Sequence, residues 1–271
     1  MELNFNLNCT GVEHNVEKKR FTSVHKAIHI LRLFSQYKPD LGITEISEKL
    51  GFPKSTVSRL MSILCEENLV QKNENTKKYQ LSLTALEIGS VVYHQLEVTQ
   101  VALPYMDKIS DKVKGVVQLV KYDQGEIVYL LRFPEHKDEL IINSIGNRVP
   151  SHCTAAGKML LAMQSEEEIS SYLERDLVAY TDKTITSPEK LWNNLIEIRK
   201  KGYAISHEEF KNGVSAVALP IYDNSDQVIA AISVTKPTRF LRSTSQIEYI
   251  LKEMRVYSRL ISEKLGSFKY S

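Results

Sequence analysis

Residues 41–64 read LGITEISEKLGFPKSTVSRLMSIL. The stretch predicts two short helices joined at Gly51. The first turns Ile43, Ile46 and Leu50 inward. The second carries Val57, Leu60, Met61 and Leu64 at i, i+3, i+4, i+7, one face of a helix. Pro53 suits its first turn, where a missing N–H costs nothing. The opposite face presents Lys54, Ser55, Thr56, Ser58, Arg59 and Ser62, with no acid among them. Such a face fits the major groove of double-stranded DNA, with cations on phosphates and Arg or small hydroxyls on base edges. An ordinary solvated helix face would show similar charge, so the flanking chain has to decide.

The flanking charge favours nucleic acid. The chain of 271 residues has a net charge of +2, but residues 18–83 hold twelve Lys/Arg against six Asp/Glu. The basic excess therefore surrounds the helix pair, as a DNA-binding module requires. Apolar content of 42% and charged content of 25% are globular values, and the length suffices for two cores. Three scattered cysteines, Cys9, Cys65 and Cys153, argue for a reducing cytoplasm. No apolar run approaches a membrane span. Residues 1–20 lack signal-peptide features and read as a disordered leader.

Upstream, residues 21–36 predict a helix with Val24, Ala27, Ile28, Leu31 and Phe34 as its stripe, capped by Thr22 or Ser23. His25 and His29 stand four apart, but Lys26 replaces the Glu of a zinc motif and no third ligand follows, so no metal site is expected. Downstream, residues 69–72 and 78–83 predict a hairpin in which Tyr79, Leu81 and Leu83 alternate with polar residues. Lys77 and Lys78 lie at or beside its tip. Three helices followed by a basic hairpin make a winged helix-turn-helix, whose wing touches DNA backbone. The same lysines could equally be solubilising charge.

Residues 83–99 predict a further helix with Leu86, Gly89, Val92 and Leu96 on one side, either a self-association surface or a face packed within its own subunit. Beyond it come a helix from Pro104 to Val113 and strands at 115–122, 126–133, 139–145, 203–209, 216–222 and 228–236. Helices are expected at 155–163, 165–173, 188–201 and 243–265. Short turns between strand pairs imply antiparallel hairpins, hence an α+β domain with helices on a largely antiparallel sheet.

Catalytic motifs fail on residues. Gly157-Lys158 lacks the earlier Gly and the following Ser or Thr of a phosphate loop. Gly213-Val-Ser215-Ala-Val217 lacks the last Gly of a nucleophile elbow. His152-Cys153 are neighbours, a poor geometry for base and nucleophile. The run VPSHCTAAGKMLLA at 149–162 instead places a small-residue turn at a helix start, where backbone N–H groups can hold an anion. Lys158 follows that turn and is expected to point along the helix towards solvent.

The run GITEISEKLGFPKSTVSRLMSILCEENLV, followed by KYQLS, resembles the DNA-binding half of the IclR-type (isocitrate lyase regulator) bacterial transcription factors. Ile46 and Phe52 replace the family's usual alanine and leucine and keep those positions apolar. The resemblance extends to about residue 265. It implies a winged helix-turn-helix domain at 21–83, a linker and dimerisation helix at 84–99, and a GAF-like effector-binding domain at 100–266. It implies effector contacts at Ala155, Ala156, Ser206, Ala216, Ser233 and Thr235, although Ser206 stands where an acid is common and Ser215-Ala216 replaces a common Arg-Cys pair. The expected protein is a cytoplasmic homodimer or homotetramer without a cofactor or membrane contact. It binds an operator, mainly as a repressor of a metabolic operon, and answers to a small organic acid held by neutral donors such as the Ser233 and Thr235 hydroxyls. The competing reading is a metabolite-acting enzyme with an appended DNA-binding domain.

Overall fold

The computed structural model describes residues 22–35, 38–133 and 145–269, and the chain divides into two units at Leu96/Glu97. The expected leader at 1–20 and nearly all of the expected strand at 139–145 lie outside the described residues.

In the first unit, α1 (Ser23–Leu31) is capped by Thr22, whose hydroxyl accepts from His25 N–H. Its buried side differs from the expected stripe. Ile30 is fully buried and Ala27 and Leu31 partly so, while Val24 and Ile28 are exposed. The helix is only nine residues long, and Phe34 reaches the core from beyond its end. Helices α2 (Ile43–Leu50) and α3 (Lys54–Glu66) turn about Gly51, which adopts φ +65° as the left-handed cap of α2. Val57, Leu60, Met61 and Leu64 are the buried residues of α3, as their spacing predicts. The hairpin pairs β2 (Val70–Lys72) with β3 (Tyr79–Leu81). An unexpected strand, β1 (Asp40–Leu41), adds to the other edge of β3. Leu83 does not continue the strand; it opens α4 (Leu83–Gln95) behind a Ser82 cap.

The expected helix at 83–99 ends at Gln95. Leu96 leaves helical geometry, and α5 (Glu97–Val113) begins. Pro104, expected to start a helix, sits inside α5 on its exposed side. There, water can serve the carbonyl that the missing N–H leaves unpaired. No residue of α4 is buried: Leu86 is 68% exposed and Val92 56%. Its apolar residues also include Ile88 and Val91, which lie off the expected stripe.

The second unit is built on one antiparallel sheet of order β6-β5-β4-β9-β8-β7. The strands are β4 (Val116–Asp123), β5 (Glu126–Phe133), β6 (Arg148–Pro150), β7 (Ala204–His207), β8 (Val214–Tyr222) and β9 (Val228–Pro237). The short β6 was not legible in the sequence. On one face lie α5 and α9 (Thr244–Lys264); Ser258 and Ser262 of α9 bond Pro220 carbonyl and Tyr222 N–H of β8. On the other face lies α6 (Ala155–Ala162), with α7 (Glu166–Leu173) and α8 (Pro188–Lys201) packed around it. Every residue of α6 is buried. Gly157 permits this: a Cβ there would stand 2.4 Å from the Ser151 carbonyl oxygen.

Candidate nucleic-acid interface and effector pocket

The α3 face is held by local chemistry. Ser47 Oγ donates to the Phe52 carbonyl at 2.7 Å and fixes the turn between α2 and α3. Glu45 accepts from Gly42 N–H at 2.8 Å; that bond, with Lys78 and Lys38 nearby, holds its carboxyl below the usual range. Lys54, Ser55, Ser58, Arg59 and Ser62 are exposed and Thr56 is half-buried. Among the described residues, neither Lys54 nor Arg59 has an acidic partner. Such cations are available for a polyanion at no cost in broken ion pairs.

The wing lysines differ. Asn73 Oδ1 accepts from Asn75 and Thr76 N–H groups at 3.0 and 3.1 Å, which shapes the tip. Lys77, at φ +57°, reaches Glu74 at 2.9 Å in full solvent. Lys78 closes the tip loop, its carbonyl accepting from Asn73 N–H at 2.8 Å, and its ammonium stands 3.7 Å from both Asp40 and Glu45. It ties the wing to β1 and α2 as well as facing outward.

The expected effector positions converge by register. Ser206 on β7 opposes Ala216 on β8, which opposes Thr235 on β9. In the next row Ala204, Ala218, Ser233, Gln118 and Arg132 face one another across five strands. Cross-strand partners share a sheet face, and Ala216 and Ala218 pack in the cluster that contains Ala155 and Ala156 of α6. All six expected positions therefore belong to the layer between α6 and the sheet. At the start of α6, Thr154 Oγ1 already accepts from Gly157 N–H at 3.0 Å. The earlier first-turn N–H groups are those of Ala155 and Ala156.

Several polar residues of this layer escaped the sequence reading. Lys158 does not reach solvent. It is 1% exposed and donates to Glu209 Oε1 at 2.7 Å. Burial pulls its ammonium below the usual range, against the attraction of Glu209. The other oxygen, Glu209 Oε2, is buried without a hydrogen-bond partner. Ser233 and Thr235 hydroxyls both donate to Gln118 Oε1, so their hydrogens are not free for a ligand as expected. Arg132 is buried beside Gln118. A lone amide inside the apolar run GVVQLV could have flagged Gln118; nothing local flags the Lys158–Glu209 pair, 51 residues apart.

His152 and Cys153 do not pair. His152 Nδ1 meets Tyr172 Oη at 2.9 Å and Nε2 meets the Val178 carbonyl at 3.0 Å, while the thiol donates to Pro150. Burial holds the imidazole below its usual pKa. This is a structural network around a neutral ring rather than an activated nucleophile.

A model of the IclR helix-turn-helix domain matches residues 23–74, and one of the bacterial transcriptional regulator IclR C-terminal matches residues 90–263. The HTH-type transcriptional regulator XynR of Escherichia coli (strain K12) is 33% identical over 217 residues, 80% of this chain and 86% of that protein. The HTH-type transcriptional repressor AllR of Klebsiella pneumoniae is 30% identical over 261 residues, 94% of each chain. The crystal structure of an IclR homolog complexed with 4-hydroxybenzoate, from Microbacterium hydrocarbonoxydans, shares the fold: TM-score 0.77, 24% identity, 90% of this chain and 99% of that one. These matches are to regulators, and the enzyme reading falls away. With an acid-free helix face beside a wing and a second unit matched along nearly its whole length, the chain belongs to the IclR family of bacterial transcription regulators.

Proposed function

We propose that this regulator is a homodimeric repressor of a metabolic operon and that a small organic acid, bound between α6 and the sheet of the second unit, controls it. The carrying observation is the exposed, acid-free face of α3, with Lys54 and Arg59 clear of carboxylates. In this reading Arg59 meets base edges, and Ser55, Thr56 and Ser58 supply short polar contacts. Lys54, Lys77 and Lys78 meet phosphate. Repression draws support from a related repressor, AllR, matched along 94% of its length. The organic-acid ligand draws support from the fold shared with a protein that holds 4-hydroxybenzoate. An acid there would be met by the Ala155 and Ala156 N–H groups, aided by the α6 dipole. No described helix is long and apolar enough to cross a membrane, which accords with a cytoplasmic site of action.

Dimerisation falls to α4. A helix with no buried residue and with Leu83, Leu86, Ile88, Val91 and Val92 exposed needs a partner surface. A dimer also supplies two recognition helices for half-sites about one DNA turn apart. Assembly of two dimers into a tetramer is compatible with this arrangement.

The test is fluorescence anisotropy with the DNA upstream of the protein's own gene and its neighbours, run with and without a panel of organic acids. Tight, salt-sensitive binding that one acid shifts supports the reading; equal affinity for operator and scrambled DNA defeats it. Leu86→Glu with Val92→Glu should give a folded monomer that binds operator weakly, and sedimentation showing an intact dimer would move the dimer contact elsewhere.

A further inference from the structure

The hydroxyls of Ser233 and Thr235 converge on a single atom, Gln118 Oε1, at 3.3 and 3.2 Å. Gln118 lies mid-strand in β4, half-buried, between Ser233 of β9 and Arg132 of β5. A carbonyl oxygen has two lone pairs, and two donors occupy them here. The amide is planar, so Nε2 and its two N–H donors point away from the hydroxyls. Each hydroxyl has given up its hydrogen and keeps oxygen lone pairs. Donors and acceptors thus stand side by side, while the side chains of Ala155, Ala156, Ala216 and Ala218 in the same layer are methyl groups.

We propose that Gln118 is a specificity-determining residue of the effector pocket and that the effector is a hydroxycarboxylate. This rests on the reading that the layer between α6 and the sheet is the pocket. The effector hydroxyl accepts from Gln118 Nε2 and donates to the Ser233 or Thr235 oxygen, closing a ring of hydrogen bonds. An alcohol does both. A ketone only accepts, and a bare methylene leaves a buried amide donor without a partner, which is the larger penalty. Hence the site discriminates by a polar group that must be present, a stronger filter than size.

The experiment is calorimetric titration of the full chain with two matched sets: 4-hydroxybenzoate and benzoate, then lactate, pyruvate and propionate. In at least one set the hydroxy acid should bind about tenfold tighter or better than its relatives, the value of one well-made buried hydrogen bond. Gln118→Met keeps the length of the side chain without its amide. It should bring that ratio to within about twofold, weakening the hydroxy acid and tightening the deoxy acid, which no longer strands an amide donor; Gln118→Leu serves as a second variant should the first be unstable. A ratio that survives in a folded variant overturns the proposal. So does a wild-type protein that prefers the keto or deoxy member, or that binds none of these acids. Ala216→Trp fills the layer itself. If that variant binds an acid as the wild type does, the pocket reading fails, whatever the outcome at Gln118.

Discussion

Lys54 and Lys158 both lie in the first turns of helices that follow small or turn-forming residues, yet the protein uses them in opposite ways. Lys54 opens α3, which buries one stripe, and its charge stands in solvent. Lys158 lies in α6, which is buried all round, and its charge is enclosed against Glu209. The contrast teaches that a helix with one apolar face declares where its cations go, whereas a helix apolar on every side does not. In the first case the charge is left for an outside partner. In the second it must find an inside one, because an unpaired buried ammonium costs several kcal/mol or loses its proton.

The largest effect expected from this contrast is on stability. Lys158→Met leaves the Glu209 carboxylate buried without a counter-charge and should cost about 3–5 kcal/mol in urea unfolding of the second unit. Lys158→Met with Glu209→Gln should recover much of that loss. A single variant as stable as wild type would mean that the two charges do not depend on each other. Arg59→Ala should do the reverse, leaving the unfolding midpoint alone and costing on the order of 1–3 kcal/mol at the specific operator. Unchanged discrimination between operator and scrambled DNA would remove Arg59 from base reading.

The wing sharpens the comparison within one unit. Lys77→Ala with Lys78→Ala should flatten the slope of log K against log salt by about one to two units, weakening specific and non-specific binding alike. Because Lys78 also faces Asp40 and Glu45, the single Lys78→Ala change should loosen the wing, whereas Lys77→Ala should not. Hydrogen exchange of the β2–β3 amides separates the two. Identical protection in both variants would reduce Lys78 to a surface charge.

The smallest effect concerns protons. The His152 pKa is lowered in the folded state from an ordinary 6.5, so folding favours the neutral ring. The unfolded chain therefore binds more protons below that value, and stability rises with pH there. The contribution of His152 is complete above pH 6.5 and is lost as pH falls through the folded pKa. Urea midpoints of the second unit should drop below that pH, and His152→Gln should make the drop shallower. An unaltered pH profile in the variant would assign the loss to other groups.

Much was legible in advance because local patterns carried it. The spacing of Val57, Leu60, Met61 and Leu64 located the buried side of α3 and, by subtraction, its outward face. The turn at Asp123–Gly125 and the run at 223–226 marked the hairpins of the large sheet. The motifs of the resembled family then pointed to Ser206, Ala216, Ser233 and Thr235, which strand register brings into adjacent rows. On α1 the spacing points to Val24 and Ile28 where the nine-residue helix buries Ile30, and on α4 it marks one stripe where exposed apolar residues lie all round the helix.

The sequence by itself determined the kinds of element, the outward face of α3 and the basic charge around it, since these depend on residues three or four apart and on composition. Tertiary structure alone decided the partners of the buried polar groups. Gln118 meets residues 115 and 117 positions away, and Lys158 meets Glu209 across 51. The reason is physical. A helical period fixes neighbours along the chain, but a desolvated charge or amide takes whichever partner the sheet register and the packing of α6 bring within hydrogen-bond reach.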